Sequence, residues 1–246
     1  MASRDNIVQF LNEFLEIDKF NDKVLNGLEV EGKNEVKKIV FGVSPSIELF
    51  NKSVSANADM IILHHGLISD FDSKHIYKLK KQRLKILFDN DINLVAYHLP
   101  LDAHYDSGNN AQIMKKLGME LQEVFDVGFI AKYADEKDVN DVVTILNKEL
   151  GTNCTLLKLG KDKIKTAAII SGGGGSNFLD AVFKGVDLYI TGDSMEHMYE
   201  LAKESKTNII FAGHYNSEKL GVIAIAGLLK EKFNIETEFI DVPNKL

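Results

Sequence analysis

The chain has one cysteine, three prolines and no tryptophan in its 246 residues. A solitary Cys154 excludes a disulfide framework and any cysteine-based zinc spacing, and it suits a reducing compartment. So few prolines, with no low-complexity run, argue against long disordered linkers. No apolar run approaches the ~20 residues of a membrane span. The first residues lead straight into an amphipathic pattern with no signal-peptide core, so the expectation is a cytoplasmic protein. Acidic residues outnumber basic ones, 36 to 29, and the net charge of −7 discourages non-specific nucleic-acid binding. What remains, 45% hydrophobic and 26% charged residues, is ordinary globular composition, long enough for one large or two small domains.

The stretch Ala58-Asp-Met-Ile-Ile-Leu-His64-His65-Gly66 organises the rest. Met60 to Leu63 reads as a short strand buried on both faces, although so short a run is also compatible with buried helix. Two histidines follow where it ends, then a glycine suited to a sharp turn. A lone histidine at a strand end is usually structural. A pair leaving a buried strand is a stronger signal, because neutral imidazole is the commonest metal ligand and strand ends of open α/β sheets are where ligands bind.

Periodicity gives a first helix over 6–18, a strand over 36–43, a helix over 46–56, the His-His strand, a helix over 73–89 and a strand over 92–97. The exit His98-Leu-Pro-Leu-Asp102-Ala-His104 reads as a loop, since Pro100 disfavours a helical Leu99. A helix over 109–117 and a strand over 121–127 complete the first half. The second half repeats the plan, with helices near 139–150, 177–184, 196–204 and 220–233. Its extended segments are 154–159, 166–170, 187–191, 208–212 and 236–242.

Val186-Asp-Leu-Tyr-Ile-Thr matches Ala58-Asp-Met-Ile-Ile-Leu, and 208–218 matches 92–102, which sets His214 opposite His98 and Glu218 opposite Asp102. This is the mark of an internal duplication. The fold expected is α/β: two similar α/β domains from an internal duplication, with largely parallel sheets covered by helices and a metal site between them. The expected domains are 1–127 and 128–246, with the C-terminal segment a candidate to pack on the first repeat.

Three strand exits thus carry His64-His65, His98 with Asp102, and His214 with Glu218. Imidazoles and carboxylates without thiolates suit Zn, Mn, Fe or Co better than soft copper chemistry. His-x-x-x-Glu taken alone would be better read as a helix start with a carboxylate near the dipole. Three such exits in one chain favour metal. Five or six ligands shared by two divalent ions leave positions for water, which favours catalysis over a closed structural site.

Several motifs occur in order: Asn26-Gly-Leu-Glu-Val-Glu-Gly, His64-His65-Gly, Tyr97-His-Leu-Pro-Leu-Asp-Ala-His, Gly108-Asn-Asn-Ala, Tyr189-Ile-Thr-Gly and Ala212-Gly-His-Tyr-x-x-Glu. Together they resemble the dinuclear-metal family of GTP cyclohydrolase 1 type 2 homologues, the NGG-interacting-factor-like proteins, over nearly the whole chain. The resemblance implies metal ligands at His64, His65, Asp102, His214 and Glu218, with Glu218 the bridge between two divalent ions. It places His98 beside them, read here either as a residue that supports the ligands from behind or as a catalytic proton shuttle. It also implies two similar α/β domains, often assembled as a hexameric ring, and members with an inserted central domain that this chain is too short to contain. One departure stands out: relatives usually follow His-His-Gly with an aromatic, often Trp-containing segment, where this chain has Leu67-Ile-Ser-Asp-Phe71.

The functional expectation is a dinuclear metal-dependent hydrolase of a nucleotide or small phosphorylated molecule, with GTP ring opening as a candidate reaction. The alternative is a non-enzymatic metal-binding ring that binds nucleic acid or a protein partner. Only the basic helix with Lys74, Lys78, Lys80, Lys81, Arg83 and Lys85 supports it, and a solvated face explains that helix as well. Ser171-Gly-Gly-Gly-Gly-Ser176 is either a tight strand-to-helix turn or an anion cradle without the Lys-Ser/Thr of a P-loop. Thr191-Gly192-Asp193, the counterpart of the His-His exit, is expected to line the pocket without binding metal. His75, His104 and His197 are expected to be surface or structural residues, and Cys154 a buried apolar one.

Overall fold

The computed structural model describes residues 2–71 and 73–244. The chain forms two compact units, Met1–Leu101 with Val222–Val242, and Asp102–Gly221 with Pro243–Leu246. The division falls at 101/102 rather than at 127/128, because the strand expected at the end of the first domain pairs within the second unit's sheet.

The first unit opens with helix α1 (Arg4–Phe14), which buries Ile7 and Leu11 one turn apart. Strand β1 (Gly27–Val30), β2 (Lys38–Gly42), helix α2 (Ile47–Ser55), β3 (Met60–Leu63), α3 (Lys78–Asp89) and β4 (Asn93–Ala96) follow. The chain passes into the second unit within α4 (Leu99–Ala103). A helix here corrects the expected loop: Pro100 lies in its first turn, where the missing N–H has no intrahelical partner to lose.

The second unit contains α5 (Asn109–Leu117), β5 (Glu120–Phe125), β6 (Gly128–Asp138), α6 (Val139–Leu150), β7 (Thr155–Leu157), β8 (Lys163–Ile170) and α7 (Phe178–Phe183). Then come β9 (Leu188–Thr191), α8 (Met198–Ser205), β10 (Asn208–Phe211), α9 (His214–Ser217) and α10 (Lys219–Phe233). The last strand, β11 (Glu236–Phe239), belongs to the first unit and pairs in parallel with β2.

The first sheet runs β11-β2-β3-β4-β1, parallel except for β1. The second runs β5-β6-β8-β9-β10-β7, with a parallel centre β8-β9-β10 and antiparallel strands outside it. Parallel central strands need apolar residues on both faces, and Met60–Leu63 and Leu188–Thr191 are buried throughout. In the first unit Val40, Ile61 and Leu94 form a core with Leu49 and Phe50 of α2 and Leu84 and Leu87 of α3. In the second, Ala167, Ile169, Leu188 and Ile190 pack with Val142 and Leu146 of α6, while Phe178, Tyr189 and Met198 belong to a separate cluster.

The duplication extends to a polar clasp at the start of the parallel strands. Asp59 Oδ2 accepts from the amides of Lys37 and Lys38, and Asp187 Oδ2 accepts from those of Lys165 and Thr166. Lys33 pairs with Asp59, and Lys161 with Asp187. Asn93 takes the amide of Gly32 and donates to the carbonyl of Lys33; Asn208 does the same with Gly160 and Lys161. This equivalence sets Asn93, not Ile92, opposite Asn208. The amides of Tyr97 and Ala212 then bond the last carbonyls of β3 and β9, so His214 lies one residue further along its exit than His98.

Candidate metal centre

In the first unit the exits of β3 and β4 bring three imidazoles together. The His64 and His65 ring centroids are 4.8 Å apart, and that of His98 is 5.1 and 5.7 Å from them. One nitrogen from each ring lies within 4.8 Å of the others, close enough to share an ion. The His64–His65 turn is possible because the chain leaves the sheet there, held by the His65 amide on the Val43 carbonyl. Gly66 serves space rather than turn geometry: a Cβ there would lie 2.4 Å from Glu29 Oε1. That carboxylate accepts from the amides of Leu67 and Ile68 and so fixes the segment after the histidines.

Every Nδ1 in the cluster has a partner. His64 Nδ1 donates to the Tyr97 carbonyl at 3.1 Å, which leaves the lone pair on Nε2. His65 Nδ1 meets Ser44 Oγ at 2.8 Å. His98 Nδ1 lies 3.0 and 3.1 Å from the two oxygens of Asp22. Burial pushes the Asp22 carboxyl upward, but the His98 and Asn26 hydrogen bonds outweigh it and hold the group well below the usual carboxylate range. Fixing one ring nitrogen so that the other can ligate is how proteins orient metal-binding histidines.

In the second unit Gly213, with φ of 82°, turns the chain into α9, which starts at His214. His214 Nδ1 donates to Asp193 Oδ2 at 2.6 Å, and Nε2 lies 3.3 Å from Glu218 Oε1. The Glu218 hydrogen bond, opposed by burial and reinforced by the Asp193 carboxylate, pushes the His214 pKa up to about 9. Glu218 is buried against Gly172, where a Cβ would approach Oε1 to 2.0 Å. Asp102 is buried too, and its Oδ1 accepts from Asn109 Nδ2 at 2.8 Å and Ser171 Oγ at 3.0 Å.

The glycine-rich loop is tied into this site. The amide of Gly172 is spent on Ser217 Oγ and that of Gly174 on Thr191 Oγ1, and the Gly172 carbonyl accepts from Gly192 and Asp193. Asp193 does more than line the site, since it holds His214.

The donor set fits a borderline divalent ion. It offers imidazole and carboxylate, and burial pushes the Cys154 thiol up to about 11, away from thiolate chemistry. The model of the Duf34/NIF3 (NGG1p interacting factor 3) family matches residues 2–245. The chain belongs to the DUF34/NIF3 family. A GTP cyclohydrolase 1 type 2 homolog of Pyrococcus horikoshii is 42% identical over 250 residues, covering 99% of each chain. One from Archaeoglobus fulgidus is 40% identical over 246 residues, covering 98% of each. Among solved structures, TTHA1606 from Thermus thermophilus superposes with a TM-score of 0.94 at 33% identity over the whole of both chains.

In this DUF34/NIF3 chain His104 is structural, its Nδ1 accepting from the amides of Asp106 and Ser107. Helix α3 starts at Lys78, later than expected, and buries Leu84 and Leu87 while Lys81 and Lys85 face solvent. Among the described residues no helix is long and apolar enough to cross a membrane. Sequence reasoning missed Asp22, Ser44, Asn109 and Ser171 as partners of the candidate-site residues. For Asp22 a signal exists: it stands four residues before Asn26, in the motif that supplies the His98 backbone with its acceptor.

Proposed function

We propose that the protein is a metal-dependent hydrolase of a nucleotide or other small phosphorylated molecule, working with two divalent ions. His64, His65, Asp102, His214 and Glu218 are the proposed ligands and His98 the proton-transfer residue. The observation that carries the reading is the cluster of three imidazoles, each with Nδ1 already tied to a carbonyl, hydroxyl or carboxylate. Divalent ions at such a site supply acidified water and polarise the bond under attack. The chain's own part is to hold the ligands through Tyr97, Ser44, Asp193 and Asn109, and to accept a proton at His98 Nε2. A cavity of about 720 Å³ in the first unit, bordered by Asp22 and Asn26, is large enough for a small-molecule substrate. Lys23, Lys74 and Lys80 line it together with Asp18, Asp22 and Asp70, so its charges balance.

The relatives' name makes GTP ring opening, with water attacking the guanine imidazole ring and formate leaving, one reaction to include. The experiment is a screen of metal-loaded protein against nucleotides and phosphoesters. Turnover that needs added Mn or Zn and stops with chelator is the expected result. Metal binding without turnover on any substrate class would favour a non-catalytic metal protein.

A further inference from the structure

We propose that Asp22 is the positioning residue of His98, its carboxylate fixing the ring as the Nδ1–H tautomer with the lone pair on Nε2 toward His64 and His65. What the ring then does rests on the hydrolase reading; the pairing itself does not. The Asp22 side chain is only 4% exposed, although it lies in an irregular segment. Both its oxygens are within 3.1 Å of His98 Nδ1. Oδ1 also accepts from the Val24 amide, and Oδ2 from the Leu99 amide and Asn26 Nδ2. With so many donors the carboxylate has one orientation. Because Leu99 follows His98, and Asn26 Oδ1 takes the His98 amide, ring and backbone are clamped together.

The charge is what a merely structural role would not need. An asparagine could still accept from the Val24 or Leu99 amide, yet its NH₂ cannot accept the Nδ1 proton. The partner that Nδ1 meets differs among the three clustered imidazoles: a carboxylate for His98, a carbonyl for His64 and a hydroxyl for His65. A carboxylate makes the opposite nitrogen the better base and the better ligand.

The test is long-range ¹⁵N–¹H correlation of the histidine rings in metal-free protein at mildly alkaline pH, assigned with His98→Gln. The expected wild-type spectrum shows His98 protonated at Nδ1 and bare at Nε2. Asp22→Asn, folded by circular dichroism, should move His98 toward the Nε2–H form and leave the His64 and His65 signals in place. Its turnover should fall about 10- to 100-fold. A wild-type ring protonated at Nε2, or unchanged His98 signals in folded Asp22→Asn, would overturn the assignment. If the variant does not fold, the wild-type spectrum decides alone. Absence of turnover in wild type would sink the hydrolase reading and leave this one standing.

Discussion

At the scale of single residues, the second unit's site depends on an absence of atoms. Gly172 has φ of 59° and lies against Glu218 so closely that any side chain would collide with the carboxylate. Gly173, next in sequence, has ordinary φ, and a Cβ there would meet nothing nearer than 3.8 Å. Gly172→Ala should therefore cost ~1–3 kcal/mol in strain and displace Glu218, with metal content falling in parallel. Gly173→Ala should leave both near wild type, and elemental analysis with thermal melts compares the two. His214 supplies a second prediction. Its folded pKa, about 9, lies above the ordinary 6.5, so the metal-free fold is favoured by the proton. That stabilisation is complete below about 6.5 and is lost as pH rises through about 9. The shift alone corresponds to ~3 kcal/mol, but a ring one-third exposed keeps ~1 kcal/mol after screening. The melting temperature of metal-free protein should fall across this window, and the fall should shrink in Asp193→Asn. A flat profile would contradict the pairing.

At the scale of elements, the chain announces what burial dictates and conceals what hydrogen bonding dictates. The wholly apolar run at β3 is readable because a strand covered on both faces admits few polar side chains. Strand β6, the longest, is not: Lys132 interrupts its apolar part and Asp135 to Lys137 extend it on the exposed side. The histidines and carboxylates of the candidate site stand out through spacing. Their holders carry no periodic signal: Asp22 lies 76 residues from His98 and Ser44 21 from His65, while Asn109 is only 7 from Asp102. The duplication is visible in its apolar strands, but the register read over 92–102 and 208–218 is one residue out, since Asn93 pairs with the Asp59 carbonyl and Asn208 with that of Asp187. Each clasp carboxylate satisfies two backbone amides and a lysine. Asp59→Ala and Asp187→Ala should each cost ~1–2 kcal/mol in urea unfolding, because part-buried and exposed backbone amides lose a charged acceptor. Equal costs would fit equivalent roles; a cost under ~0.5 kcal/mol at either site would deny it.

At the scale of the whole molecule, the described surface carries large exposed apolar side chains in both units. In the first unit Phe71, Ile76, Tyr77 and Leu79 are all exposed within nine residues before the body of α3. In the second, Val124 of β5 and Phe183 of α7 are exposed, and β5 is an edge strand. Apolar side chains gathered this way mark association surfaces on soluble proteins. An unprotected edge is also a template for open-ended pairing, which natural chains guard with charge or cover by assembly. Glu120 and the Glu123–Lys184 ion pair guard β5 in part, so the stretch 71–79 is the stronger candidate for an interface. Closed symmetry uses such a surface up, whereas an open arrangement would keep adding copies. The expectation is therefore a homo-oligomer of defined size, the hexamer implied by the family resemblance. Light scattering at micromolar concentration should return six times the 27.5 kDa of one chain. Ile76→Ser combined with Leu79→Ser should shift the mass downward without unfolding the chain, since neither side chain is buried. Val124→Lys should leave the mass unchanged if the first surface is the interface. A stable wild-type monomer, or a double variant that still assembles while Val124→Lys dissociates, would move the interface or abolish it.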